Sequence, residues 1–270
     1  PRRRHILQTG AVGLAALAGC ATFAPGGASE QLTETVDPGS AGQFAAFTPN
    51  GRVTVEGTDT SSVMVEATKR TGGEAAELDK IAVVAEVVDD TVEVRVEKST
   101  PEWPRVAVDL SIELPQRLVT TAVRTGNGPI DLTDTRGSTR VETGNGRVSM
   151  TNHAGFPRVT SGNGDVTVTG GPGVRHAWTG NGSVDVEIRD IQDESSLVSG
   201  NGTLTARVAG DLACALELDT GTGEVDTGSL DVATTASRRG HLFGTLNGGS
   251  GDVLKATTGN GDITLRPLDE

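Results

Sequence analysis

A four-residue corner returns through the second half of this chain at an almost fixed interval, and no other feature restricts the fold as much. Thr125-Gly126-Asn127-Gly128 is followed by Thr143-Gly144-Asn145-Gly146, Ser161-Gly162-Asn163-Gly164 and Thr179-Gly180-Asn181-Gly182, each 18 residues after the last. Ser199-Gly200-Asn201-Gly202 comes 20 residues later, and the degenerate Thr220-Gly221-Thr222-Gly223 comes 21 after that. Thr258-Gly259-Asn260-Gly261 closes the series after 38 residues, close to two periods with one corner lost near Arg239-Gly240. Self-similarity at a fixed period is the mark of a repeat architecture.

Apolar residues keep phase with the corner. After it come Ile130 and Leu132, Val148 and Met150, Val166 and Val168, Val184 and Val186, Leu204 and Ala206, then Ile263 and Leu265. Two residues before its Thr or Ser come Val123, Val141, Val159, Ala177, Leu197, Leu218 and Ala256. A spacing of two is that of a strand. Eighteen residues hold two short strands and two corners, the second near Gly137, Gly155 and Gly173. The expected fold is therefore all-β: a flattened β-solenoid of roughly 18-residue coils, stacked about 4.8 Å apart.

A tight corner needs φ > 0, which Gly adopts freely and Asn tolerates. Stacking would place Asn127, Asn145, Asn163, Asn181, Asn201 and Asn260 in one column, with amides bonded along the ladder. Asn163 would sit mid-array and Asn260 near the end of the stack. The Thr or Ser before each corner shares the parity of the apolar column, so its hydroxyl should turn inward to backbone groups at the bend. A phosphate loop would need Lys and a following helix. A calcium repeat would need Asp at one fixed place, but the residue after the corner varies: Pro129, Arg147, Asp165, Ser183, Thr203, Glu224, Asp262. An antiparallel meander of Asn-Gly hairpins stays open as the alternative fold; it explains the turns but not the recurring register.

Composition agrees with strands and turns, since 37 of 270 residues are Gly and only 7 are aromatic. The net charge is −13, with four Lys (Lys69, Lys80, Lys98 and Lys255) among 23 basic residues. Such a surface suits concentrated salt, where screening removes self-repulsion, although an ordinary acidic protein shares the profile. It argues against nucleic-acid binding, which needs a basic face.

The first twenty residues, "PRRRHILQTGAVGLAALAGC", read as a targeting segment. Arg3 and Arg4 ahead of Ile6-Leu7 resemble a twin-arginine export signal. Leu17-Ala18-Gly19-Cys20 resembles a lipobox, in which Cys20 takes the lipid after residues 1–19 are removed. That removal deletes three Arg, giving −13 − 3 = −16. Residues 20–41, rich in Gly, Ser, Pro and acid, read as a flexible tether. Residues 42–120 read as a strand-rich β region and cap that begins with a corner-like Thr48-Pro49-Asn50-Gly51, and 121–270 as the repeat. Cys214, in an apolar run, reads as a small buried hydrophobe without a disulfide partner.

The corner-plus-strand unit "NGRVTVEG" at 50–57 and the closing stretch "GTLNGGSGDVLKATTGNGDITLRP" at 244–267 resemble a family of adhesin-like prokaryotic surface proteins of unknown function. The resemblance spans about 42–268 and implies the solenoid architecture; it brings no catalytic residues. The four His (His5, His153, His176 and His241) fall in different phases of the repeat, so no acid–base or metal cluster is expected, no cofactor either, and a non-catalytic role is favoured. One outward column is a candidate contact patch: Arg140, Arg158 and His176, with Trp178 beside them and expected to be exposed. It could meet an anionic glycan or an envelope partner, or be a solvated face. The expected role is that of a lipid-anchored surface protein, adhesin-like or structural. An envelope stress sensor or scaffold with a membrane partner is the alternative, and a polysaccharide-active enzyme comes third.

Overall fold

The computed structural model describes residues 3–7, 22–24, 27–102, 104–249 and 251–268, with side chains from Gly27 onward. The chain forms two compact units that meet in sequence at Thr135 and Arg136. Both are all-β; the one helical turn among the described residues is a 3-10 segment at Ala75–Lys80.

The first unit contains β1 (Arg3–Leu7), β2 (Thr22–Ala24), β3 (Gly27–Val36), β4 (Gln43–Asn50), β5 (Val53–Thr58), β6 (Val63–Thr71), β7 (Ile81–Val88), β8 (Thr91–Lys98), β9 (Val106–Pro115), β10 (Val119–Asn127) and β11 (Ile130–Thr133). Within it one sheet runs β1-β7-β8-β4-β10 and the other β2-β3-β6-β9-β5-β11. Pairing is antiparallel through β1, β7 and β8 and through β2, β3, β6 and β9. It turns parallel where β4 meets β8 and β10, and where β5 meets β9 and β11. Asn127 lies opposite Asn50, and Ile130 opposite Val53. Along β4, Phe44, Ala46 and Thr48 point into the core while Phe47 stays 42% exposed. This is the period-two division of a half-buried strand.

The tether expected over 20–41 is corrected in its second half. Gly27–Val36 is a ten-residue strand paired along its length with β6. Ala28, Leu32 and Val36 are buried, and the inward-parity positions between them are Glu30 and Glu34. Glu30 is tolerated there because Lys69, itself buried, reaches its carboxylate at 2.9 Å and lies 3.4 Å from the Leu78 carbonyl. A buried charge is acceptable when paired and hydrogen-bonded.

The second unit contains β12 (Arg140–Asn145), β13 (Val148–Thr151), β14 (Arg158–Asn163), β15 (Val166–Thr169), β16 (His176–Asn181), β17 (Val184–Ile188), β18 (Glu194–Asn201), β19 (Leu204–Val208), β20 (Cys214–Thr222), β21 (Val225–Asp226), β22 (Val232–Arg238), β23 (His241–Leu246), β24 (Val253–Asn260) and β25 (Ile263–Pro267). Here one sheet runs β12-β14-β16-β18-β24-β20-β23-β22 and the other β13-β15-β17-β19-β25-β21. The two strands that flank a Gly-Asn-Gly corner lie in different sheets, so the corner is not a hairpin turn. Each corner strand pairs in parallel with its counterpart one repeat away: Val141 opposite Val159, Val159 opposite Ala177, Ala177 opposite Leu197. Between the sheets these residues, with Val148, Val166, Val184 and Leu204, are essentially without exposed surface. Cys214 is buried there as a free thiol, and burial pushes its pKa up to about 11.

Two expectations about the end of the array are corrected. The copies do not stack in chain order: β24 lies between β18 and β20, so the Asn260 corner sits between those of Asn201 and Thr222. The interval from 223 to 252 is not a coil that has lost its corner. It carries the antiparallel hairpin β22–β23, turning at Gly240 with φ +77°, with β23 also antiparallel to β20.

Candidate functional site

The corners set the register on which any surface site depends. The last Gly of the corner, not the Asn, takes the unusual backbone: Gly128, Gly164, Gly182, Gly202, Gly223 and Gly261 have φ between +139° and +152°. No corner Asn has positive φ, which corrects the expected role of Asn in the turn. The Asn side chains instead run as an exposed ladder. Asn163 Nδ2 donates to Asn145 Oδ1 at 2.7 Å, Asn181 to Asn163 at 2.7 Å, Asn201 to Asn181 at 2.9 Å and Asn260 to Asn201 at 2.7 Å. Thr222 Oγ1 then donates to Asn260 Oδ1 at 2.8 Å. In the first unit Asn127 donates to Asn50 at 2.7 Å.

Under the ladder, a buried hydroxyl donates to the carbonyl of the last corner Gly of the adjacent copy. Ser161 reaches Gly146, Thr179 reaches Gly164 and Ser199 reaches Gly182, each at 2.8 Å. Thr258 reaches Gly202 at 2.9 Å and Thr220 reaches Gly261 at 2.7 Å. A degenerate corner with Thr in place of Asn is adequate at Thr222, where the run of described corners stops.

Asn260 therefore accepts one bond and donates one, as Asn163 does. Asn163→Ala and Asn260→Ala are each expected to cost about 1–2 kcal/mol, two exposed side-chain bonds in both cases. Urea denaturation of the two variants checks this; a clearly smaller loss at Asn260 would contradict its place between two corners.

With Val141, Val159 and Ala177 inward, Arg140, Arg158 and His176 fall on the outer face in one cross-strand file, and Glu142, Thr160 and Trp178 in the next. Arg140 and Arg158 are exposed; His176 and Trp178 are half-buried. The half-burial corrects the exposure expected for Trp178. Its neighbours across the sheet are Thr160 and Val198, and its ring edge lies 3.4 Å from where a Cβ on Gly180 would stand. Arg140 is bonded to Glu142. Arg158 makes no ion pair among the described residues. Burial holds the His176 pKa below its ordinary value, the charge of Arg158 lowers it further, and Glu194 opposes both. At neutral pH the file is two guanidiniums and a neutral imidazole that accepts a proton less readily than usual.

The other histidines are not part of this file. His153 is fully buried, its Nε2 2.7 Å from the Gly137 carbonyl and 3.3 Å from Thr139 Oγ1, and burial lowers its pKa. His241 lies against Asp219 on the far strands of the same sheet. Only the backbone of His5 is described, as for Arg3 and Arg4, all on β1. Cys20 lies outside the described residues. Among the described residues no three His, Cys, Asp or Glu side chains group as a metal site would require. An open groove of about 860 Å³ in the first unit mixes Glu74, Glu77 and Glu102 with Lys80 and Arg105, and Lys80 is taken up by Glu77.

No protein-family profile matches the chain, and no curated protein matches it. Solved structures do. A candidate cell adhesion protein from Clostridium sporogenes is 12% identical, over 88% of this chain and 99% of that one, with a TM-score of 0.38. A candidate adhesin from Bacteroides fragilis is 13% identical over 87% and 96%, with a TM-score of 0.44. A candidate lipid-binding protein from Parabacteroides distasonis is 11% identical over 87% and 96%, with a TM-score of 0.26. At these scores the likeness carries nothing about the patch. No helix among the described residues is long and apolar enough to cross a membrane.

Proposed function

We propose that this is an exported, lipid-anchored protein that displays a flattened β-solenoid outside the cytoplasmic membrane and works by contact rather than catalysis, in an adhesin-like or structural envelope role. Support for the solenoid is the alternation of strands between two sheets with one constant register in the second unit. Support for export and anchoring is the sequence alone: Arg3-Arg4 before an apolar run, and Cys20 at the end of "LAGC".

The observation that carries the contact reading is Arg158, an exposed guanidinium without a carboxylate partner, between Arg140 and a His176 whose protonation it opposes. A sulfate or carboxylate group placed there would gain a bidentate partner in Arg158. Trp178 offers one half-covered ring beside it. The acidic remainder of the surface repels a uniformly charged polymer such as nucleic acid, which leaves a glycan with spaced anionic groups as the partner class.

One crossed experiment tests both halves. Cells carrying the wild-type chain, Arg158→Glu or Cys20→Ser are fractionated, and each protein is tested for retention on a sparsely sulfated dextran against neutral dextran. Wild type should be membrane-bound and retained by the sulfated polymer. Arg158→Glu should stay with membranes and lose most of its retention, whereas Cys20→Ser should leave the membranes and keep it. Equal retention of Arg158→Glu removes the patch; membrane-bound Cys20→Ser removes the anchor.

A further inference from the structure

β22 is the outermost strand of its sheet, and β23 is its one neighbour in that sheet. Residues 233–238 are exposed on both faces. An open edge presents a row of unpaired backbone groups, and natural proteins usually guard it with Lys, Pro or inward charge. From Val232 to Ser237 this edge carries no such side chain, and the one device of this kind along it is a bulge at Thr235.

The stretch Asp231-Val232-Ala233-Thr234-Thr235-Ala236-Ser237-Arg238 nearly mirrors itself about the Thr234–Thr235 bond. Ala answers Ala, Thr answers Thr, the small Val232 answers Ser237, and acidic Asp231 answers basic Arg238. In a regular strand such a mirror would fail, because residues an odd number apart point to opposite faces. Here a bulge leaves Thr235 unpaired between Thr234 and Ala236 and shifts the phase by one. Val232 pairs with Leu246 and Ser237 with Leu242, so the two share a face. Ala233 pairs with Thr245, Ala236 with Phe243 and Arg238 with His241, so these share the other. Asp231, whose carbonyl accepts the Asn247 amide, continues that second face.

We propose that β22 is a self-association edge. Two copies of this chain pair through it antiparallel about a two-fold axis, with Asp231 of each opposite Arg238 of the other. The pairing sets Ala233 against Ala236 and Val232 against Ser237, each pair on one face of a sheet that continues through both copies. Phe243, 44% exposed, stands beside Ala236, and the partner's Ala233 extends that row. The charge complementarity selects a second copy over an unrelated strand, since one strand supplies both signs in mirror positions. An isologous contact closes at two copies and does not grow into fibres.

Sedimentation equilibrium of the full chain at low salt tests this through charge reversal. Wild type should be a monomer–dimer mixture. Asp231→Arg and Arg238→Asp should each weaken dimerisation on the order of tenfold, because both ion pairs become like-charge contacts. An equimolar mixture of the two variants should recover dimers, since each supplies what the other lacks, and the double swap should recover them alone. A wild type that stays monomeric overturns the proposal. So does a mixture that fails to associate when both single variants are folded by circular dichroism.

Discussion

Gly164→Ala is expected to be among the most damaging single-methyl changes in the chain, with a loss of about 3–5 kcal/mol from backbone strain and overpacking combined. Gly164 has φ +139°, and a Cβ there would lie 2.4 Å from the Gly146 carbonyl oxygen and 2.5 Å from its carbon. Both atoms are backbone of the adjacent corner, so relief requires the two copies to move apart, and that same movement stretches the Asn163 ladder bond and the Ser161 hydroxyl bond. Gly248→Ala is the control. It also has positive φ, +70°, but nothing lies within 4 Å of the new Cβ, so it should lose only about 1 kcal/mol. Urea denaturation of both variants measures the difference. Equal losses would mean that close approach of the adjacent copies contributes nothing and that only the dihedral angle matters.

Phe44→Ala is expected to cost about 3–5 kcal/mol, the usual penalty for emptying a fully buried aromatic site. Phe47→Ala, three residues along the same strand, should change stability by less than about 0.5 kcal/mol. Phe44 has no exposed surface and Phe47 is 42% exposed. In a chain with few aromatics, Phe44 fills volume that the Val and Ala around it cannot. Thermal or urea unfolding of the two variants checks this; similar losses would mean that β4 does not divide its faces between core and solvent.

Much of the second unit was legible because its signal is redundant. The corner, the apolar parity and the inward hydroxyl each report the same 18-residue register, so an error in one is caught by the others. What spacing cannot report is spatial order. The interval of 38 residues before Thr258 fits an extra coil as well as it fits a hairpin followed by an inserted strand. The clue lay in composition: a corner with Thr222 in place of Asn suits the end of a ladder better than its middle. The strand Gly27–Val36 was missed for a different reason. Its inward positions alternate Ala28, Glu30, Leu32, Glu34 and Val36, and the cation that admits Glu30 is Lys69, 39 residues away. Local hydropathy cannot see such a partner. For the patch, parity placed Arg140, Arg158 and His176 in one file, but the partial cover of Trp178 depends on Gly180 and on neighbouring strands. The position of the φ > 0 residue was misplaced by one, from the corner Asn to the Gly after it, because both Asn and Gly can adopt it, and sequence alone does not say which one does.

The insertion of β24 between β18 and β20 bears on how the second unit is made. In the finished sheet, β18 meets β16 on one side and β24 on the other, but β24 begins at Val253, long after β18 ends at Asn201. A chain synthesised from its N-terminus can add copies in order only as far as β18 and β19. It must then hold that growing edge open while residues 214–246 emerge, and those residues cannot take their final place until the last strands arrive. The loop that closes is long, and long-range pairing is slow. During the wait the β18 edge is a template for any other strand. Residues 253–267 thus act as a keystone: β18 and β20 are joined only when these residues arrive, rather than by steady growth from one end.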